Sequence, residues 1–225
     1  MASKLKITPL GGISEIGKNM TVIEYGKDMI LVDCGSMFPS DDMPGIDLVI
    51  PDMDYIEKNA QRLRAIIITH GHEDHIGAVP YALKKFNVPI YGSRLALALI
   101  NHKLEEHGIA ASADLRTVKP GDTVKLGCIS VEFIHVNHSI AGAMALAITT
   151  PAGVVIHTGD FKIDYTPVDG APTNLARLAE YGKSGILCLM SDSTNAELPG
   201  YTLSESKEGD AFEHYFASAT GRVIV

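Results

Sequence analysis

Within six residues, His70-Gly71-His72-Glu73-Asp74-His75, the chain places His70, His72, Asp74 and His75, directly after the apolar run Ala65-Ile66-Ile67-Ile68. Packing asks for nothing of the kind. Positions 0, 2, 4 and 5 share neither the face of a helix nor the face of a strand, so the carrier is a loop that leaves a strand and enters a helix. That is where α/β folds place their chemistry. Imidazole nitrogen and carboxylate oxygen suit zinc and similar borderline cations, whereas soft-metal sites recruit thiolates. Three of the nine histidines fall in this hexapeptide, which makes a merely solvated polar loop the poorer reading.

A length of 225 residues with 46% hydrophobic content provides for one large domain, or for one domain and part of another, with a substantial core. Apolar runs are short and broken by Gly, Pro or charge, and the first residues carry no apolar signal region. The expectation is a soluble, untargeted, cytoplasmic protein with no membrane contact. Cys34, Cys128 and Cys188 are far apart and have apolar neighbours, so all three are expected to be buried free thiols in a reducing compartment. A net charge of −8 argues against coating nucleic acid by bulk electrostatics. Local contacts remain open, because a bound pair of dications would neutralise charge where a phosphate docks.

Along the chain, strands are predicted over residues 5–9, 21–25 and 29–32, the last two joined by the turn Gly26-Lys27-Asp28. A Pro- and Asp-rich loop over 38–54 leads to a predicted helix at 55–63, the strand of the opening run, and a helix over 77–86. After a strand at 88–91, Ser93 is read as the cap of a helix running to His107 and stopped by Gly108. Strands follow at 123–126, 130–136, 143–149, 154–157 and 186–190. Thr202-x-x-Glu205 has the form of a capping box opening a helix to about Ser218, and the apolar run at 222–225 looks like an unfinished strand. Two β-rich blocks, each followed by helices, point to an α/β sandwich of sheets with helices outside.

Two further clusters complement the hexapeptide. His138 in Asn137-His138-Ser139 and Asp160 in His157-Thr158-Gly159-Asp160 each lie just beyond a predicted strand end. Two metals that share a bridging oxygen need about six ligands, one of them a carboxylate able to span both. His70, His72, Asp74, His75, His138 and Asp160 give that number and those types. His135 and His157, set within strands, are read as packed or supporting groups. Gly12-x-x-x-x-Gly17-Lys18 comes near a phosphate-binding loop, but Asn19 stands where Ser or Thr would bind magnesium and a strand follows instead of a helix. It is read as a loop lining the metal site. No Ser or Cys has a nucleophile setting.

Taken together, Asp33-Cys34-Gly35, Thr69-His70-Gly71-His72-Glu73-Asp74-His75-Ile76-Gly77, Asn137-His138-Ser139 and His157-Thr158-Gly159-Asp160-Phe161-Lys162 resemble the metallo-β-lactamase superfamily. The stretches 11–19, 45–52, Pro89-Ile90-Tyr91-Gly92 and Ser191-Asp192-Ser193-Thr194-Asn195 are similar to its ribonuclease J branch. The resemblance implies an αββα metallo-β-lactamase sandwich over residues 1–196, lacking the inserted β-CASP domain and its return segment, with 197–225 as the beginning of a β-CASP-like domain. It implies that His70, His72 and His138 hold one divalent ion, that Asp74 and His75 hold another, and that Asp160 bridges them, with Asp33 supporting the loop. The ions would be zinc, with manganese or magnesium as substitutes. Asp74, Asp160 and Asp192 would be the catalytic carboxylates, Asp192 orienting a histidine from further along.

The implied activity is hydrolysis of RNA phosphodiester bonds by a metal-activated hydroxide, with RNA as partner and a homo-oligomer as the longer form. Where the branch has Pro-Asp after Asn-His-Ser-Ile, this chain has Ala141-Gly142. Two other classes compete: hydrolysis of a small ester, thioester or lactam by the same metals, and a non-catalytic metal-binding fragment.

Overall fold

The computed structural model describes residues 4–168 and 170–224. Its first half contains β1 (Leu5–Gly11), β2 (Met20–Tyr25), β3 (Asp28–Val32), α1 (Asp54–Glu57), β4 (Leu63–Ile67), α2 (Glu73–Ile76), α3 (Val79–Lys85), β5 (Ile90–Gly92), α4 (Arg94–Glu106) and β6 (Leu115–Thr117). These strands form one sheet in the order β1-β2-β3-β4-β5-β6. The second half contains β7 (Thr123–Leu126), β8 (Ile129–His135), β9 (Met144–Thr150), β10 (Gly153–His157), α5 (Leu175–Ser184), β11 (Cys188–Met190) and α6 (Glu208–Ser218), with a sheet in the order β11-β10-β9-β8-β7.

Strand alternation sorts the apolar residues into layers. In β3 and β4, Ile30, Val32, Ala65 and Ile67 face the second sheet, where they meet Val131, Phe133, Leu146 and Ile148. Met29, Leu31, Ile66 and Ile68 face the other way, against Ile56 of α1, Val79 and Ala82 of α3, and Ile100 and Leu104 of α4. On the far side of the second sheet, Ala145 and Ala147 of β9 pack with Leu178 and Tyr181 of α5. Helix, sheet, sheet, helix is the order of layers, as expected. Strands β3 to β6 run parallel through helical crossovers, so their C-terminal ends lie together at one edge.

Several local expectations are corrected. The helix over 55–63 is only α1 and a 3-10 turn at Ala60–Arg62, because Asn59 Nδ2 donates to the Tyr55 carbonyl at 2.8 Å and Leu63 is taken into β4 opposite Met29. The turn after β2 holds two residues, Gly26 and Lys27, since Tyr25 pairs with Asp28. The box at Thr202 and Glu205 does not form. Ser204 caps there instead, accepting from Ser206 N, while the Glu205 carboxylate pairs with Lys162, and the α-helix begins at Glu208. Residues 222–224 are not in a strand, and Val225 lies outside the described residues. Cys34 is buried, but Cys188 is half-buried and Cys128 is exposed at the two-residue turn between β7 and β8. Among the described residues no helix is long and apolar enough to cross a membrane.

Candidate metal centre

Five strand exits meet at one edge of the sandwich. After β3 the backbone turns at Asp33, which adopts a left-handed φ of 58°, and runs alongside the histidine-rich loop. Cys34 N donates to His75 O at 2.8 Å, Asn19 N to Asp74 O at 2.9 Å, and Ala78 N to Cys34 O at 2.9 Å. Gly35 lies so close that a Cβ there would sit 1.5 Å from Asp74 O. The hexapeptide is therefore held by main-chain bonds to a neighbouring exit and is not a free loop. His72 occupies the cap position of α2, so His75 falls on its first turn.

The exit of β4 is tied to the second sheet by Met144 N donating to Thr69 O at 3.0 Å. The exit of β8 is held by Asn137, whose Oδ1 accepts from Thr173 N at 2.8 Å and whose N–H donates to Thr173 Oγ1 at 2.9 Å. This lock directs His138 toward the hexapeptide. Beyond β10, Gly159 takes φ +57° where a Cβ would approach Thr69 Cβ to 3.0 Å, so the chain passes close enough to deliver Asp160.

His70, His72 and His138 bring one nitrogen each within 4.8 Å of the others, and a nitrogen each from His70 and His75 and a carboxylate oxygen of Asp160 lie equally close together. His72 Nδ1 lies 3.1 Å from His70 Nε2 and 3.0 Å from His138 Nε2. Tetrahedral coordination with bonds of about 2.0–2.1 Å puts neighbouring nitrogens about 3.3 Å apart, so this triad has the spacing of a cation site. Asp160 reaches toward both sets of histidines: Oδ2 is 3.6 Å from His138 Nε2 and 4.0 Å from His70 Nε2, and Oδ1 is 3.3 Å from His75 Nε2. Asp74 stands apart from both sets, its Oδ2 3.7 Å from His75 Nε2. The donor set, four imidazoles and two carboxylates, fits divalent cations.

The outer nitrogens are fixed as well. His75 Nδ1 meets Asp33 Oδ2 at 2.8 Å, and His70 Nδ1 lies 3.0 Å from Thr69 Oγ1, whose hydroxyl and N–H are bonded to Asp33. Such partners set the tautomer and aim of a ligating ring.

Electrostatics divide the cluster. Burial drives the His70 pKa down, helped by the charge of His75, to about 3. Burial also opposes charge on His75, but Asp33 and Asp160 together overcome it and raise its pKa to about 10. For Asp160 the upward pull of burial is outweighed by His75, His70 and His138, which bring it to about 2. Burial lowers His138 and His157, and Asp33 stays below the usual carboxylate range because His75 outweighs the burial that opposes it.

Beside the cluster runs an open groove of about 770 Å³, lined by residues 11–17, Asp74, His75, His157, Asp160 and the turn at 190–195 that carries Asp192. Gly12 to Gly17 thus line the groove beside the cluster. Asp192 is half-buried, donates its N–H to Thr158 Oγ1 at 2.9 Å, and accepts from Thr194 N at 2.8 Å. His135 faces away, with Nε2 2.8 Å from Ala171 O. Sequence reasoning gave no individual role to Asn19, Thr69, Thr158 or Thr173. Only their places beside strand exits marked them.

The chain matches the profile of the metallo-beta-lactamase superfamily over residues 14–197. It is 52% identical over 223 residues to ribonuclease J of Synechocystis sp., covering 98% of this chain and 35% of that protein. Ribonuclease J of Helicobacter pylori is 49% identical over 224 residues, covering 99% of this chain and 32% of that one. The chain spans about a third of the length of these curated relatives. Among solved structures, the metallo-beta-lactamase fold protein YhfI from Bacillus subtilis superposes with TM-score 0.51 at 21% identity, covering 72% of this chain and 65% of that one, a likeness of fold. A match across most of its length, on a four-layer sandwich with histidines and aspartates gathered at the strand exits, means that this chain belongs to the metallo-β-lactamase superfamily.

Proposed function

We propose that the chain carries the metal centre of a ribonuclease of the ribonuclease J type, which hydrolyses RNA phosphodiester bonds in the cytoplasm. The observation that carries the reading is the convergence of imidazoles and carboxylates from distant stretches beside a groove, in a chain about half identical to ribonuclease J along nearly the whole length of this chain.

In this reading His70, His72 and His138 hold one divalent ion, His75 and Asp74 hold a second, and Asp160 spans both. Zinc suits the donors, and manganese or magnesium would substitute. Such ions lower the pKa of water toward neutrality and offset charge on phosphoryl oxygens. The protein's own part is placement. Asp33 holds the His75 ring by Nδ1, Thr69 holds the His70 ring by Nδ1 and leaves its Nε2 toward His72, and Asp160 presents one oxygen to each side. Asp74, Asp160 and Asp192, which line the groove, would be the catalytic carboxylates, Asp192 orienting a histidine from further along. Residues 197–225 are assigned to the start of a second domain, in keeping with the exposed Phe212, Tyr215 and Phe216 of α6.

The test is turnover of a 5′-labelled RNA with added zinc or manganese, by this chain and by one extended past Val225, beside a panel of esters, thioesters and lactams. The expected result is metal-dependent RNA cleavage, stopped by a chelator, and none of the small substrates turned over. Turnover of the small substrates with none on RNA would overturn the proposal. Cleavage by the longer chain alone would assign this portion a metal-binding role within it.

A further inference from the structure

Asp74 is the one proposed ligand that the fold does not gather with the others, and its side chain is one-third exposed. What holds it is Asn19. The Asn19 Nδ2 lies 3.1 Å from Asp74 Oδ2, 3.2 Å from Asp74 O and 3.0 Å from His75 Nε2. Asp74 offers only acceptors here, so the amide nitrogen, not the oxygen, must face it. The backbone of Asn19 is fixed in turn, its N–H donating to Asp74 O and its carbonyl accepting from Gly35 N, both at 2.9 Å.

Resting on the two-cation reading above, we infer that Asn19 is a positioning residue for the His75 side of the centre, holding the Asp74 carboxylate where a second cation meets it. A carboxamide has two N–H groups, and Asp74 supplies two acceptors for this one, Oδ2 and the main-chain O. His75 Nε2, 3.0 Å from the same amide nitrogen, is not needed as a partner. It can be given over to a cation while both N–H groups stay satisfied by Asp74, so the support survives metal binding. Room for the amide comes from Gly12, at φ +80°, where a Cβ would fall 2.4 Å from Asn19 Oδ1. The described contacts of Asn19 include none with His70, His72 or His138, so its influence is one-sided.

The test is manganese titration of the 225-residue chain, of Asn19→Leu and Asn19→Ala, and of Gly12→Ala, which crowds the amide without removing it. Binding is followed by calorimetry, and the pairing of the ions by electron paramagnetic resonance. The parent is expected to take two ions and show an exchange-coupled signal. All three variants are expected to bind the first ion as the parent does and the second about 10–100-fold more weakly, the range for groups behind a ligand. The coupled signal should then vanish at concentrations that saturate the parent, while metal-free melting of the Asn19 variants is unchanged. Equal weakening of both ions, parent-like binding of both, or Asn19 variants that fail to fold would each overturn the inference. A parent that takes a single ion would overturn the two-cation reading itself, which a coupled parent signal leaves standing.

Discussion

The two sides of the cluster use similar donors and are held in opposite ways. On one side His70, His72 and His138 face each other as imidazoles, and burial keeps His70 neutral, its pKa near 3. On the other, His75 is gripped between buried Asp33 and Asp160 and carries a proton with a pKa of about 10. A ligand must be deprotonated to bind metal. Buried His70 is thus ready for a cation, whereas His75 already holds a positive charge that a second cation must replace. The difference teaches that one centre can load in two unlike steps.

The largest test of that contrast removes the triad's hub. His70 lies on the imidazole side, so His70→Ala is expected to weaken the first ion by more than the roughly 100-fold that marks the loss of a supporting group, read by calorimetry. If His70→Ala binds the first ion as the parent does, the imidazole-triad picture fails. Next comes the support of the other side. Asp33→Ala leaves a buried charge unpaired and is expected to destabilise the metal-free protein by about 3–5 kcal/mol in urea unfolding. Loss of less than about 1 kcal/mol would mean the pair is not the anchor described. Third is the close approach beneath the loop. Gly35→Ala forces a methyl against Asp74 O and is expected to cost about 1–3 kcal/mol, with a loss of second-ion binding.

Acid and base should act in opposite senses on the two histidines of the metal-free protein. For His70, whose pKa falls from 6.5 to about 3 on folding, stability is present above 6.5 and is lost as pH drops toward 3. For His75, raised from 6.5 to about 10, stability is present below 6.5 and is lost as pH climbs through 10. Asp160, lowered from 3.8 to about 2, adds a loss on the acid side. Metal-free unfolding should therefore show a maximum near neutrality, and an imidazole NMR titration should find His75 protonated and His70 neutral at pH 7. The reverse assignment would erase the comparison. The smallest effect is expected far from the centre: Cys128→Ser at an exposed turn should change stability by less than about 0.5 kcal/mol.

The contrast also explains what could be read from sequence. Ligands packed into one hexapeptide and set at strand ends announce themselves locally, so His70, His72, His75, His138 and Asp160 were legible, as was the layering set by strand alternation in residues such as Ala65 to Ile68. Of the supports, only Asp33 was expected, and that from the family resemblance. Asn19 meets Asp74 across 55 positions, and Thr69 meets Asp33 across 36, with no local pattern to mark either bond. The same reason undid the box at Thr202, where Lys162 captures Glu205 from a distant segment. Cys128 misled differently, since its apolar neighbours belong to strands while the residue itself sits on the turn between them.

The central claim is that side chains from distant stretches share a pair of cations. Anomalous scattering from crystals soaked in manganese tests it most directly. The account predicts two peaks, one bounded by His70, His72 and His138 and the other by His75 and Asp74, with Asp160 between them. A single peak, or density with His138 and Asp160 beyond coordination distance of it, would contradict the account.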